Sequence, residues 1–451
     1  MSPSTYLFLS IDLPAMLAGT LAAMTCALLG NFLVLRRQSL MGDAISHAVL
    51  PGIVVGFLIA GTRRTLPIFI GAGVSAMLTV LMISALRRVA RVEPGAAMGV
   101  SFSILFALGV LLIEQAAARH VDLDADCVLY GQLEYINWTP PEAWSELLSR
   151  ATWASLPRQV VVLFGALVLV CAFVLAFYKE LRLTTFDPAH ASAIGFSAPR
   201  LNAALMVLVA GATVAAFEAV GSILVIAMLI TPPATARLLT DRYAVQLLLS
   251  LVLAGVTGVL GYLAGAFLPD ALGLEGGSLN AAGAMTVVGV LILLIVIVFA
   301  PTHGVLARAR RRRALACQMA RDDVLALLYR LEESRPDHAM LASRLEALIG
   351  AAAGRPVRTL ARDGLVRVEG GQVSLTDEGR QLAQGLIRSH RLWESWLVQE
   401  LGLRPDHVHQ TAERLEHLQD KGRPLRPAPD AASTDPHNRP IPDPTGNDAS
   451  G

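Results

Sequence analysis

Apolar residues dominate the first 300 positions of the chain and then give way to an ordinary polar mixture. Runs long enough to cross ~30 Å of hydrocarbon recur over residues 13–35, 45–61, 66–86, 96–114, 159–178, 201–217, 219–236, 244–268 and 282–300. The stretch 201–238 is almost unbroken. At about 1.5 Å per residue it would reach roughly 57 Å, too far for one crossing. The pattern therefore predicts a break near Glu218 and Gly221, because a carboxylate is costly deep in hydrocarbon. Beyond residue 318 the period changes. DDVLALLYRLEES reads as an amphipathic helix, and LASRLEALIGAAAGRPVRTLARDGL as two helices joined by a short turn. LVRVEGGQVSLTDEG alternates around Gly370 and Gly371 as a β-hairpin. Helix–turn–helix followed by a hairpin predicts a winged helix.

Charge follows the same division. Residues 1–301 hold 15 Lys and Arg and 16 Asp and Glu, whereas the shorter stretch 302–451 holds 22 and 20. Mean hydropathy is +0.54, which excludes a single soluble globule and a disordered chain. The formal net charge of +1 points to no nucleic-acid bias over the whole chain. Cys26, Cys127, Cys171 and Cys317 show no CxxC spacing, so neither a disulfide framework nor a zinc cluster is expected. Lys179 and Lys421 are the only lysines, and no GxxxxGK[ST] loop occurs, so no ATP site is expected on this chain. The opening MSPSTYLFLS lacks the basic region and small-residue cleavage site of a signal peptide.

With the N-terminus outside, the inner loops carry Arg36, Arg37, Arg87, Arg88, Arg91, Lys179, Arg182, Arg200, Arg237 and Arg242. The outer loops carry Arg63, Arg64, Arg119, Arg150 and Arg158. The bias favours nine spans, N-out and C-in, with the cluster Arg308–Arg313 as a further inner anchor that can also meet anionic lipid. Eight spans remain open if one segment is re-entrant. The outer stretch 115–158 holds Asp122, Asp124, Asp126, Glu134, Glu142 and Glu146. It reads as a solvated acidic loop with interfacial Trp138, Trp144 and Trp153, or as a receiving surface for a metal-loaded partner.

Paired polar groups inside an apolar block carry the candidate chemistry. In MGDAISHAVLPG, Asp43 and His47 stand i,i+4 on one helix face. They suit a borderline divalent cation, or else they are a first-turn cap and a satisfied core histidine. In the tail, His390 and Glu394 are i,i+4 on one helix. His409, Glu413, Glu416 and His417 fall within about 100° of one face of the next. Six imidazole and carboxylate groups suit Mn²⁺, Fe²⁺ or Zn²⁺, or form a solvated charged face. Arg355, Arg358 and Arg362 lie on the second helix of the winged-helix pattern, where they can meet phosphates or bases or serve a protein contact.

The segments LVLRRQSLMGDAISHAVLPG, residues 33–52, and AVGSILVIAMLITPPATARLL, residues 219–239, closely resemble the membrane subunits of the zinc/manganese/iron ABC importer family. That resemblance runs over about residues 10–300. It implies a permease working as a homo- or heterodimer, a separate cytoplasmic ABC ATPase, and an extracytoplasmic metal-binding protein. It also implies that Asp43 and His47 face the translocation path. FDPAHASAIGFS, residues 186–197, resembles the family's coupling helix to the ATPase. Asp187 would be its N-cap, Pro188 would open its first turn and Gly195 would end it. His190 stands where the family often has a carboxylate.

The tail resembles the diphtheria-toxin-repressor family of metal-dependent regulators, through SHRLWE, VHQTAERLEH and DPHNRPIPDP. This implies metal ligands at Asp323, His390, Glu394, His409, Glu413, Glu416 and His417. Glu413 occupies the position that is Cys in iron-type members and Glu in the manganese type, which favours manganese. Ala326 departs from the manganese type's first-helix Glu.

The expected architecture is thus an all-α polytopic protein of the inner (cytoplasmic) membrane, followed by a cytoplasmic winged-helix domain and a helical metal-binding and dimerisation region. Its boundaries are 1–305 for the permease domain, 306–317 for an Arg-rich linker, 318–380 for the winged helix, 381–423 for the metal-binding region and 424–451 for a disordered Pro-rich tail. The expected function is transport rather than catalysis, with operator DNA as a further partner. Two other readings of the tail stay open. It can gate transport as a metal sensor, or it can be released by proteolysis as a soluble repressor.

Overall fold

The computed structural model describes residues 3–38, 40–60, 65–117, 131, 133–141, 152, 155–271, 273, 279–334, 340–341, 354–416, 419–420, 423–424 and 433–442. The chain divides into two compact units, Met1–Ala307 and Arg308–Gly451.

The first unit is helical. In order it contains α1 (Pro3–Leu7), α2 (Leu13–Leu35), α3 (Leu40–Ala60), α4 (Thr65–Val89), α5 (Pro94–Ala117), α6 (Arg158–Ala176), α7 (Tyr178–Phe186), α8 (Pro188–Ala193), α9 (Ala198–Leu239), α10 (Tyr243–Ala271) and α11 (Ala281–Phe299). Among the described residues, seven helices are long and apolar enough to cross a membrane. Two features bear on that number. The described apolar part of α3 is the shorter Ala48–Ala60, and the 42 residues of α9 contain a break. Inside α9, Gly221 takes φ 74° and ψ 175°, a conformation essentially reserved for glycine, so the helix is broken there. Glu218, one turn before the break, is exposed.

α2 is buried almost all round and forms the centre of the bundle, packed by α6, α9 and α10. Its small residues, among them Ala15, Ala18, Ala22, Ala23 and Ala27, let neighbouring backbones approach closely. Asn31 on this helix is fully buried and bonds across to α10. It donates to Ser250 Oγ at 2.6 Å and accepts from Gln246 Nε2 at 3.0 Å. In an apolar bundle such amide pairs are the expected glue between helices. α3 packs on α4 and α5, and at its crossing with α4 the backbones of Gly52 and Gly71 touch with no room for a Cβ on either.

The described part of 115–158 is packed in places rather than wholly solvated. Leu133, Ile136 and Trp138 are buried, Trp138 N donates to Ser10 O at 2.8 Å, and Gly131 lies against the Gly221 break. Glu134 stays exposed, and its Oε1 accepts from the first turn of α11 at Ala281 N, 3.3 Å. Burying three apolar side chains outweighs the exposure suggested by the surrounding acids. Asp122, Asp124, Asp126, Glu142, Glu146, Trp144 and Trp153 lie outside the described residues.

The second unit opens within α12 (Val305–Ser334), a single helix that includes the arginines of 308–313. After it come β1 (Met340–Leu341), α13 (Gly354–Arg362), β2 (Val366–Glu369), β3 (Gln372–Leu375), α14 (Asp377–Gln399) and α15 (His409–Glu416). The strands form an antiparallel sheet of order β1-β3-β2. Gly370 and Gly371, at φ 57° and 79°, make the tight turn that pairs Glu369 with Gln372 and Val366 with Leu375. One apolar core joins α12, α13, the sheet and α14 through Val324, Leu328, Leu360, Val373 and Ile387.

Candidate metal centre, coupling segment and arginine helix

The best-formed cluster lies between α14 and α15. Thr376 caps α14 by accepting from Gly379 N at 3.1 Å, and a polar-and-apolar stripe then carries His390 and Glu394 inward on one face. Both side chains are only 3% exposed. Val408 and Ala412 seat α15 against Leu397, which brings His409 to the same place. His390 Nε2 lies 3.2 Å and His409 Nδ1 2.8 Å from Glu394 Oε1, and the two ring nitrogens are 3.1 Å apart.

These separations can be compared with what a cation demands. With bonds near 2.1 Å, ligand atoms around one ion stand roughly 3.0 to 3.4 Å apart, octahedral to tetrahedral. The three atoms already meet that spacing within a few tenths of an ångström. Burial alone would raise the Glu394 carboxyl. The hydrogen bonds and charges of His390 and His409 outweigh it and hold the group down to about 2, so a carboxylate faces the two imidazoles. Two nitrogens and one anionic oxygen suit Mn²⁺, Fe²⁺ or Zn²⁺.

The other expected ligands are placed separately. Asp323 is half-buried on α12, and Glu413 is exposed on α15. Neither joins the cluster that His390, Glu394 and His409 form among the described residues. The Glu416 side chain and the whole of His417 lie outside the described residues. Asp43 and His47 stand one turn apart within α3, and their side-chain placements also lie outside the description.

Within residues 186–197, Asp187 Oδ1 accepts from His190 N at 2.9 Å, Pro188 occupies the first turn of α8, and Gly195 follows the helix at φ 95°. His190 is exposed on this short helix. Arg355, Arg358 and Arg362 are all exposed on α13, and Arg362 is in its last turn.

One element was invisible to pattern reading. Residues 424–451 are expected to be disordered, but residues 433–442 are folded onto α14. Asp435 Oδ1 accepts from the backbone N of His437 and Arg439 at 2.9 and 2.8 Å, an Asx turn with Asn438 at φ 62°. The buried Arg391 side chain binds Glu333 through two contacts of 3.0 and 2.6 Å and reaches the Pro440 carbonyl and Asp435. Arg388 donates to the Pro442 carbonyl. The Asp-Pro-His-Asn run was the available signal for a turn. Its docking depended on arginines more than 40 positions away.

An apolar helical bundle joined to a small unit in which the buried His390 and Glu394 meet the exposed His409 defines a membrane protein carrying a metal-binding regulatory domain. The chain belongs to the ABC 3 transport family, whose profile matches residues 9–140 and 154–300. Residues 376–443 match the iron dependent repressor, metal binding and dimerisation domain, so a repressor-like domain is fused behind the permease fold. The zinc transport system membrane protein TroD of Treponema pallidum is 37% identical over 384 residues, covering 84% of this chain and 99% of that one. The manganese transport system membrane protein MntC of Bacillus subtilis is 30% identical over 400 residues, 86% and 84% of the two chains. Alignments of that length run past the membrane unit into the second. Among solved structures, PsaBC from Streptococcus pneumoniae, in complex with Fab, matches with a TM-score of 0.51 at 28% identity. That match covers 64% of this chain and 91% of that one.

Proposed function

We propose that the chain is the permease subunit of an ATP-driven importer of a divalent transition metal, manganese favoured, whose tail senses the same metal inside the cell. The observation that carries this reading is the joint presence of the ABC 3 transport match and the His390, Glu394 and His409 cluster in one chain. Nine spans follow if α9 is counted as two at Gly221 and α3 as one, with the N-terminus outside and the tail in the cytoplasm. Asp43 and His47 contact the passing ion. The Asp187-capped helix α8 docks into a separate ATPase, a metal-binding protein delivers the ion from outside, and a second permease subunit completes the path.

In the tail, metal joins α14 to α15 and favours one arrangement of the unit, a population shift by a ligand that binds that arrangement better. Glu413 in place of Cys favours a harder ion. Asp323, Glu413, Glu416 and His417, none of them in the His390–Glu394–His409 cluster among the described residues, would complete the ligand set only once the ion draws the helices together. The hairpin β2–β3 and α13 then act as a winged helix, with Arg355, Arg358 and Arg362 on operator DNA. A second reading is favoured by α12, which runs unbroken from Val305 to Ser334: the tail restrains transport directly. The same continuity argues against release of the tail by proteolysis, because a helix must unfold locally before it is cut.

The test is initial uptake of Mn²⁺, Fe²⁺ and Zn²⁺ by cells lacking this chain, complemented with wild type or with Asp43→Ala/His47→Ala. Recovery of one ion by wild type and not by the double variant supports the proposal. Equal recovery by both removes the path residues from it.

A further inference from the structure

At one end of the bundle, the ends of α2, α4 and α7 and the start of α9 surround a cavity of about 720 Å³. Three arginines line it: Arg36, Arg37 and Arg87. No Asp or Glu does among the described residues, and the remaining polar lining is hydroxyl and amide, with Ser84 and Ser192 among it. None of the three arginines pairs with a carboxylate among the described residues. Arg36 is half-buried and held in place. Its Nε and both terminal nitrogens donate to Thr184 Oγ1, Thr185 Oγ1 and Asn202 Oδ1 over 2.5–3.2 Å. Those acceptors are neutral, so the guanidinium is positioned without its charge being compensated.

Arg37 adds a second, independent observation. α2 ends in a Schellman motif, with Gln38 N bonded to Leu33 O at 2.8 Å and Arg37 N to Val34 O at 3.1 Å. The left-handed position of that motif, φ 56°, normally falls to glycine, and here it is Arg37. A long cationic side chain is thus kept where the backbone disfavours it, beside the cavity. Strained non-glycine positions of this kind cluster at binding sites.

We propose that this cavity binds a phosphate-type anion, supplied by the headgroup of an acidic membrane lipid. Three guanidinium groups with no opposing carboxylate match a phosphate, to which arginine donates bidentately. The depth matches a lipid source. Leu35 and Arg87 are the last residues of two apolar spans, and Ala198 is the first of another, so the cavity lies where hydrocarbon gives way to headgroups. Its volume exceeds what one partner carboxylate would fill. Because Pro188 and Ser192 of α8 form part of the wall, an occupied headgroup would brace the segment proposed to couple to the ATPase.

The experiment uses the purified full chain, stripped of lipid in detergent. It is then offered phosphatidylglycerol, phosphatidylcholine or inorganic phosphate, with binding read by native mass spectrometry and by the shift in thermal midpoint. The expected result is selective retention of phosphatidylglycerol. In Arg37→Gln/Arg87→Gln it should weaken by roughly thirtyfold, the scale of two arginine contacts to an anionic surface. Arg37→Lys/Arg87→Lys should bind between the two, since the charge remains but the paired donors are lost. Arg36 is left intact because it braces Thr184 and Asn202. Stabilisation by inorganic phosphate alone, lost in the Gln variant, would support the anion site and assign it a soluble source. Equal retention of both lipids, or undiminished binding in the Gln variant, would overturn the proposal. So would a Gln variant that keeps its lipid yet no longer co-purifies with the ATPase, which would assign the arginines to a partner's carboxylates.

Discussion

Glu394 is the residue on which the tail's centre turns, since both His390 and His409 address the same carboxylate oxygen. Removing a group that merely orients a ligand costs about 10- to 100-fold in affinity, and removing a ligand costs at least that. Glu394→Ala is therefore expected to weaken Mn²⁺ binding by the full-length chain by at least about a hundredfold, measured by calorimetry in detergent. Glu394→Ala binding as tightly as wild type would move the regulatory site elsewhere. This centre was legible in the sequence because i,i+4 spacing places His390 and Glu394 on one helix face whatever the surroundings. His409 and Glu413 are likewise one turn apart on α15, yet only His409 reaches the cluster. Spacing within a helix cannot say which residue of the turn meets a neighbouring helix. The arginines of the cavity were legible only as charges. Counting Arg36, Arg37 and Arg87 for orientation uses their number, whereas their convergence depends on how α2, α4 and α7 pack.

At the scale of elements, the apolar runs fall on helices, seven of them among the described residues long and apolar enough to cross a membrane, because a crossing demands length and hydrophobicity and little else. The break in α9 was expected near Glu218 and Gly221, and it falls at Gly221, where φ 74° and ψ 175° exclude other residues without strain. Gly131 packs against the same turn. Gly221→Ala is expected to cost about 1–3 kcal/mol and lower the thermal midpoint of the purified chain. An unchanged midpoint would mean that the break is not required by the bundle. Residues 433–442 were the least legible element. Their proline and asparagine content matches that of disordered segments, and it is Arg388, Ser395 and Arg391, the last held by Glu333, that dock the turn.

For the whole molecule, orientation is the claim on which sensing depends, since a tail outside the cell could not read the imported metal. Cys317 is exposed on α12, just beyond the arginine cluster, and offers a native reporter. In a Cys127→Ala background, a membrane-impermeant maleimide should label Cys317 only after the cells are permeabilised. Labelling in intact cells would place the tail outside and remove its proposed role.

The account joins import and sensing of one metal in a single chain. It is tested most directly by the total Mn, Fe and Zn of cells lacking this chain, grown metal-poor and complemented with the full chain or with residues 1–305. The account predicts that one metal, manganese first, falls in the deletion, that both forms restore it, and that 1–305 overshoots the wild-type level because its restraint is gone. If no metal falls in the deletion, the importer reading is contradicted. If the metal is restored without overshoot, the tail does not restrain uptake.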